Sequence, residues 1–326
     1  MQIFRQLADI PADFGPTIAT IGNFDGVHCG HEWVIAEVVA QARAENIRSI
    51  AITFDPHPAR VIRPEASQPL ITPLPQKLAL LAATGIDAVL VLPFTSELSR
   101  MTARTFATDV LRDALHVTQL HEGENFRFGY QAEAGIESLE VLGRELGFGV
   151  RVYAPRHLRG ETISSSRVRQ MIAEGDVTRV RALLGRSFAI CGTPASGRGY
   201  GTRYTVPTIN LASYAELLPA NGVYITALTI GTGPSSETFD GVTNVGNRPT
   251  FGADSFTVET HLLNFHPIDL NESTPLTLTF LRRLRTEMRW PNPEALKEQI
   301  GRDVAKAKRY FNICRAVGSK LHSAHP

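Results

Sequence analysis

Between Thr20 and Val39 the chain reads TIGNFDGVHCGHEWVIAEVV, with His28 and His31 set around Gly30 where a short apolar run becomes a helix-periodic one. A helix N-terminus offers unpaired backbone N–H groups and the positive end of a dipole, which together make an anion site. Gly30 would let the backbone come close to such a ligand. Two imidazoles could then donate to phosphate oxygens as charge builds during transfer. Two plainer readings stand beside this one. The stretch could be a surface turn that carries histidines, or half of a metal site, although zinc asks for three or four ligands and nothing nearby completes a set. Residue types alone leave the three open.

Other stretches carry chemistry of the same kind. ISSSRVR offers the hydroxyls of Ser164, Ser165 and Ser166 at an expected helix start, followed by Arg167 and Arg169. That composition binds a polyphosphate or makes an ordinary N-cap with exposed arginines. In GENFRFG, Asn125 suits a turn. In TFDPHP, Asp55 and His57 follow a strand, and Pro56 and Pro58 stiffen the segment. GRGYGTRYTVPTINL spaces Gly197, Gly199 and Gly201 as G-x-G-x-G, but no βαβ unit surrounds it and no acidic residue follows at the right distance. A dinucleotide fingerprint is therefore rejected, leaving a glycine-rich loop over phosphates or a flexible hairpin loop. Glu259, in an alternating strand, reads on its own as an outward solvated residue.

The elements that must position these groups change character along the chain. From residue 17 to 154, short apolar strands (TIATIG, SIAITFD, AVLVLPF, VTQLHEG, FGVRVYA) alternate with helical stretches. In the first helix Val34, Ile35, Val38, Val39 and Ala42 form one face. Such alternation predicts a doubly wound parallel sheet, whose ligands bind outside the strands' carboxyl ends. Further on, GVYITALTI, FDGVTNVG, FTVETHLLNF and PLTLTFLRRL predict a small β-barrel-like domain, and PEALKEQIGRDVAKAKRYF a closing helix. The division is expected at 186/187, giving domains 1–186 and 187–326.

Bulk properties narrow the partners. With 326 residues, 43% hydrophobic and 20% charged, the chain can bury two cores. A formal net charge of +1 provides no field for nucleic acid or an anionic membrane. Cys29, Cys191 and Cys314 lie far apart and suit a reducing compartment. No signal peptide or membrane span is read, so a cytoplasmic protein acting on small molecules is expected.

His-x-Gly-His after a strand resembles the nucleotidyltransferase signature, and GNFDGVHCGH resembles the opening of the bacterial bifunctional riboflavin kinase/FMN adenylyltransferase (FAD synthetase) family. TFDPHP, GENFRFG and ISSSRVRQMIAEGDV match that family in order. The resemblance implies a Rossmann-like N-terminal domain that transfers AMP from ATP to FMN, giving FAD and pyrophosphate. His28 and His31 would act on the ATP phosphates, with Gly22, Asn23, Phe24, Gly30, Ser164, Ser165, Ser166, Arg167 and Arg169 binding ATP and Asn125 contacting flavin phosphate or nucleotide.

In the second half, PTIN at 207–210, GVTNVGNRPTFG and FTVETHLLNF resemble the family's riboflavin kinase domain. That match implies Mg²⁺ held with Thr208 and Asn210, Glu259 as base for the ribityl hydroxyl, Gly197, Gly199 and Gly201 over ATP, and Trp290 near flavin. The chain departs from the family's pattern in YTV at 204–206, YGT at 200–202 and Ile209. These departures bear on loop geometry and kinase efficiency more than on reaction type.

Overall fold

The computed structural model describes residues 1–195, 208–247, 256–266 and 270–318. Its contacts group the chain into two compact units, Met1–Ser165 and Ser166–Pro326. Gly197, Gly199 and Gly201, and the departures at 200–202 and 204–206, lie outside the described residues.

The first unit is built on six parallel strands: β1 (Gln2–Phe4), β2 (Thr17–Ile21), β3 (Arg48–Asp55), β4 (Ala88–Pro93), β5 (Val117–Gly123) and β6 (Gly149–Tyr153). They lie in the order β1-β4-β3-β2-β5-β6. All five residues of β2 are buried, as in a sheet covered on both faces. Helix α1 (Cys29–Glu45) buries Ile35, Val38, Val39 and Ala42 and stops at Asn46, whose left-handed conformation ends it. The remaining helices are α2 (Pro58–Ile62), α3 (Leu74–Ala83), α4 (Ser96–Ser99), α5 (Ala103–Phe106) and α6 (Ile136–Leu146). ARTFATDVLRDALH at 103–116 carries an ordinary helical period, yet the chain passes from α5 into a π-helical run, Ala107–Ala114. The amide of Leu115 donates to the carbonyl of Val110 at 3.1 Å, five residues back. This wide turn places Phe106, Ala107, Val110, Leu111 and Leu115 together in the core.

Strand order reverses between β2 and β5, which opens a crevice at their carboxyl ends. Their paired register runs only from Thr17 and Val117 to Ala19 and Leu120. Beyond it the two strand ends need other partners.

After a short hairpin, β7 (His157–Leu158) and β8 (Glu161–Thr162), come α7 (Ser165–Glu174) and α8 (Val177–Leu184). The second unit's sheet contains β9 (Phe188–Gly192), β10 (Thr208–Asn210), β11 (Gly222–Ile230), β12 (Glu237–Asn247), β13 (Phe256–Leu263) and β14 (Leu276–Thr286). These run antiparallel in the order β10-β13-β12-β11-β14-β9. Bonds from Ala195 N–H to the Asn210 carbonyl (2.8 Å) and from Ala212 N–H to the Thr193 carbonyl (2.9 Å) join the two ends, so the sheet curls into a small barrel. Inside, Phe280 packs against Phe188 and Tyr224. Thr243 also shares hydroxyl hydrogen bonds with Thr226 (2.7 Å) and Thr260 (2.9 Å), so the three buried hydroxyls satisfy one another.

Helix α9 (Pro293–Ala316) is capped by Asn292, which accepts from the Ala295 amide at 2.8 Å, with Pro293 in the first turn. It is pinned to the barrel by Asp303, which takes the Arg285 Nε–H at 2.8 Å and the Gln299 amide at 2.9 Å. Replacing Asp303 by alanine strands the Arg285 charge in a nearly buried setting. The second unit's unfolding transition is expected to lose about 3 kcal/mol, read from the urea midpoint at unchanged m.

Candidate functional site

In the first unit, the crevice at the β2/β5 switch point is a cleft of about 340 Å³. Gly22, Phe24, His28, Gly30, His31, Asn125, Ser164 and Ser165 all line it. The segment leading into α1 is held in an unusual shape: Phe24, Gly26 and Val27 have φ of 47°, 85° and 37°. For a β-branched valine that conformation is strained, so its surroundings must impose it. Asp25 supplies much of this. Its buried carboxylate accepts the amides of Ile71 and Thr72, both at 3.0 Å, and the Gly26 amide donates to Thr72 Oγ1 at 3.0 Å. The Asp25 carbonyl in turn accepts the Ser165 hydroxyl at 2.7 Å, tying the serine segment to the histidine turn.

His28 caps α1, its Nδ1 accepting the His31 amide at 3.3 Å. The ring proton of a neutral His28 therefore sits on Nε2, as a donor. The two imidazoles stack with centroids 3.7 Å apart and 13° between planes. Gly30 has a specific part in this. A Cβ there would lie 3.1 Å from the His28 ring, so what lies against its missing side chain is that ring. Asn23 lines a separate cavity of about 10 Å³, near the size of one water, together with Asp25, Asp55, His57 and Lys77. There Lys77 Nζ, pushed below its ordinary pKa by burial, donates to the Asn23 carbonyl and Thr53 Oγ1, both at 3.1 Å. His57 caps α2, accepting the Ala59 amide at 3.2 Å.

Several cleft residues carry no motif. Trp33 has the Arg156 guanidinium 4.0 Å from its ring centroid and the Tyr153 ring edge-on at 4.8 Å. Tyr153 is fixed by His121, whose ring bridges the Tyr153 hydroxyl and the Gln41 side chain, both at 2.8 Å. Burial, and after it the nearby Arg151, push His121 down to about 4, so it is neutral at physiological pH. Glu122, 3% exposed, accepts the Ile21 amide at 2.6 Å. Burial raises its carboxyl well above the usual range, against the lowering effect of that bond. LHEG sets a histidine and a glutamate at a strand end, but nothing in that string alone marks either as part of a cleft.

Ser166, Arg167 and Arg169 follow Ser165 in α7 and belong to the second unit, where Arg167 donates to Gln170 at 2.9 Å. In that unit Asn210 of β10 stands directly across from Glu259 of β13, and Thr208 across from His261. Asn244 of β12 flanks Glu259 on its other side. Thr208, Asn210 and Glu259 thus share one face of neighbouring strands and are all half-buried. They gather hydroxyl, amide and carboxylate oxygens, a donor set suited to a hard divalent cation. Trp290 has the Arg285 guanidinium 5.4 Å from its ring centroid.

Two family models match the chain: FAD synthetase over residues 10–167 and riboflavin kinase over residues 184–311. The bifunctional riboflavin kinase/FMN adenylyltransferase of Pseudomonas fluorescens is 34% identical, covering 94% of this chain and 97% of that protein. The protein of the same description from Escherichia coli K12 is 32% identical, covering 91% and 94%. A solved structure described as a macrolide-efflux protein from Streptococcus pneumoniae superposes with a TM-score of 0.81 over 94% of this chain and 98% of its own, at 22% identity. At that identity the likeness shows the fold alone.

Proposed function

The chain belongs to the bifunctional riboflavin kinase/FMN adenylyltransferase family, and from that premise we propose how its two reactions divide between the two sites. It phosphorylates riboflavin to FMN with ATP, then adenylylates FMN with a second ATP, giving FAD and pyrophosphate. Residues 1–186 carry adenylyl transfer and residues 187–326 the kinase. The order of the two family matches supports this division.

In the first site a phosphate oxygen of FMN attacks the α-phosphorus of ATP, and the bond to pyrophosphate breaks. No protein nucleophile is needed; the work is positioning and charge stabilisation. His28, with its donor on Nε2, and His31 steady the leaving phosphates at the α1 N-terminus. Gly22, Asn23, Phe24, Gly30 and Ser164 to Ser166, with Arg167 and Arg169, bind ATP, and Asn125 contacts the flavin phosphate. The observation that carries the assignment is the Ser165 bond to the Asp25 carbonyl, which joins two distant motifs at one cleft.

In the second site Glu259 accepts the proton of the riboflavin 5′-hydroxyl as that oxygen attacks the γ-phosphorus of ATP. Thr208 and Asn210 would hold Mg²⁺, which when bound neutralises charge on the phosphates. Gly197, Gly199 and Gly201 are assigned to ATP from sequence, and Trp290 to flavin. The enzyme is placed in the cytoplasm, acting on small molecules and not on nucleic acid. Its net charge of +1 and three cysteines far apart in sequence support this, and no helix among the described residues is long and apolar enough to cross a membrane.

The test is chromatography of the purified protein incubated with riboflavin, ATP and Mg²⁺, following flavin fluorescence. FMN should appear first and FAD after it. Supplied FMN that stays unconverted would remove the adenylyl-transfer reading.

A further inference from the structure

Glu122 is a carboxyl in the lining of the first-unit cleft, at the end of β5, and only 3% of it is exposed. It completes a gap in the sheet: once β2 and β5 part after Ala19 and Leu120, the Ile21 amide has its partner in Glu122 Oε1 at 2.6 Å. Ile21 is the last residue of β2, and the histidine turn starts from it. Glu122 therefore holds the strand end from which that turn is built.

Among the described residues, the groups around Glu122 supply no counter-charge. On its own strand His121 points to the opposite face, where Tyr153 and Gln41 hold it, and Glu124 is exposed. From α1 come His28 and His31, stacked on each other. After β6, Arg156 lies over Trp33, while Arg151 pairs with Glu37 at 3.5 Å. On the sheet face shared with Leu120, Arg104 of α5 pairs with Glu145 of α6, and Glu133 accepts the Ala103 amide at 2.7 Å. At the β3 end Lys77 is spent on neutral oxygens. Burial and the Ile21 bond alone govern Glu122, and burial dominates.

We infer that Glu122 is a positioning residue of the adenylyl-transfer cleft: its bond to the Ile21 amide fixes the end of β2, and as a buried carboxyl with no cation against it among the described residues it serves two polyanionic substrates as an uncharged acid. This rests on assigning adenylyl transfer to the cleft. Ionised, the carboxylate would repel ATP and FMN and lose favourable solvation together. The sign follows from a raised folded-state pKa. The protonated form's contribution to stability and binding is fully present below the unfolded value and is lost as pH rises through the folded one.

The experiment measures FAD formation from FMN, ATP and Mg²⁺ by the full-length enzyme across mildly acidic to alkaline pH, for wild type and Glu122→Gln. Glutamine keeps a neutral acceptor for Ile21 and cannot ionise. In the wild type the KM for FMN and ATP should climb about ten-fold per pH unit once Glu122 ionises. In Glu122→Gln that limb should vanish, and the variant should be more thermally stable than wild type at alkaline pH. Infrared spectra should show a protonated carboxyl band on the acid side of that limb, fading along it, which Glu122→Gln lacks. A folded Glu122→Gln inactive at neutral pH, or sharing the wild-type alkaline limb, overturns the inference; so does absence of the band. If FAD formation survives loss of both His28 and His31, the site assignment itself has failed, a result separable from any Glu122 profile.

Discussion

FAD formation falls by about 10³-fold or more when His28 and His31 are both replaced by alanine, while FMN formation from riboflavin continues at the wild-type rate. The size of the effect comes from the geometry. A donor fixed at a helix N-terminus needs no reorganisation as charge builds on the leaving phosphates, and here two stacked rings supply that donor set. His28→Ala also removes the α1 cap, which by itself costs about 1 kcal/mol of stability. A melting curve near that of wild type therefore separates lost chemistry from lost fold. Equal loss of both activities in a folded variant would count against independent sites.

Glu259→Gln produces the complementary phenotype. Riboflavin phosphorylation drops by about 10²- to 10⁴-fold in kcat, with little change in riboflavin KM, and supplied FMN still becomes FAD. The amide fills the same space between Asn210 and Asn244 in the ladder, so the fold should survive. What it loses is the capacity to take a proton. Retained kinase activity would return Glu259 to the role its strand position alone suggests, an outward polar residue.

These outcomes rest on features of unequal visibility in the sequence. The parallel sheet was legible because AVLVL is apolar throughout and TIATI breaks its apolar run only with threonines, both alternating with helical stretches, and α1 because its stripe repeats at helical spacing. The π-helical run was not: ARTFATDVLRDALH carries an ordinary helical period, and only packing beneath the sheet selects the wider turn. The His28, His31, Ser164 and Ser165 cluster was readable from motifs, since short-range patterns encode turns and helix starts. Glu122, Tyr153 and Trp33 were not, because what makes them part of a cleft is the order of strands, and no local pattern records that order. The pairing of Asn210 with Glu259 is a matter of register between strands 49 residues apart, likewise absent from either segment alone.

The Asp25 carboxylate has a consequence for motion. Ile71 and Thr72 lie in a segment without helix or strand, where amides ordinarily exchange with solvent quickly. Both are bonded to a buried group within a turn whose own backbone preference is unfavourable. Neither half keeps its shape without the other, so they open as one cooperative unit. The slow exchange of two amides on a plain loop, 46 residues from the turn in sequence, becomes a clock for how often the histidine end of the cleft comes apart.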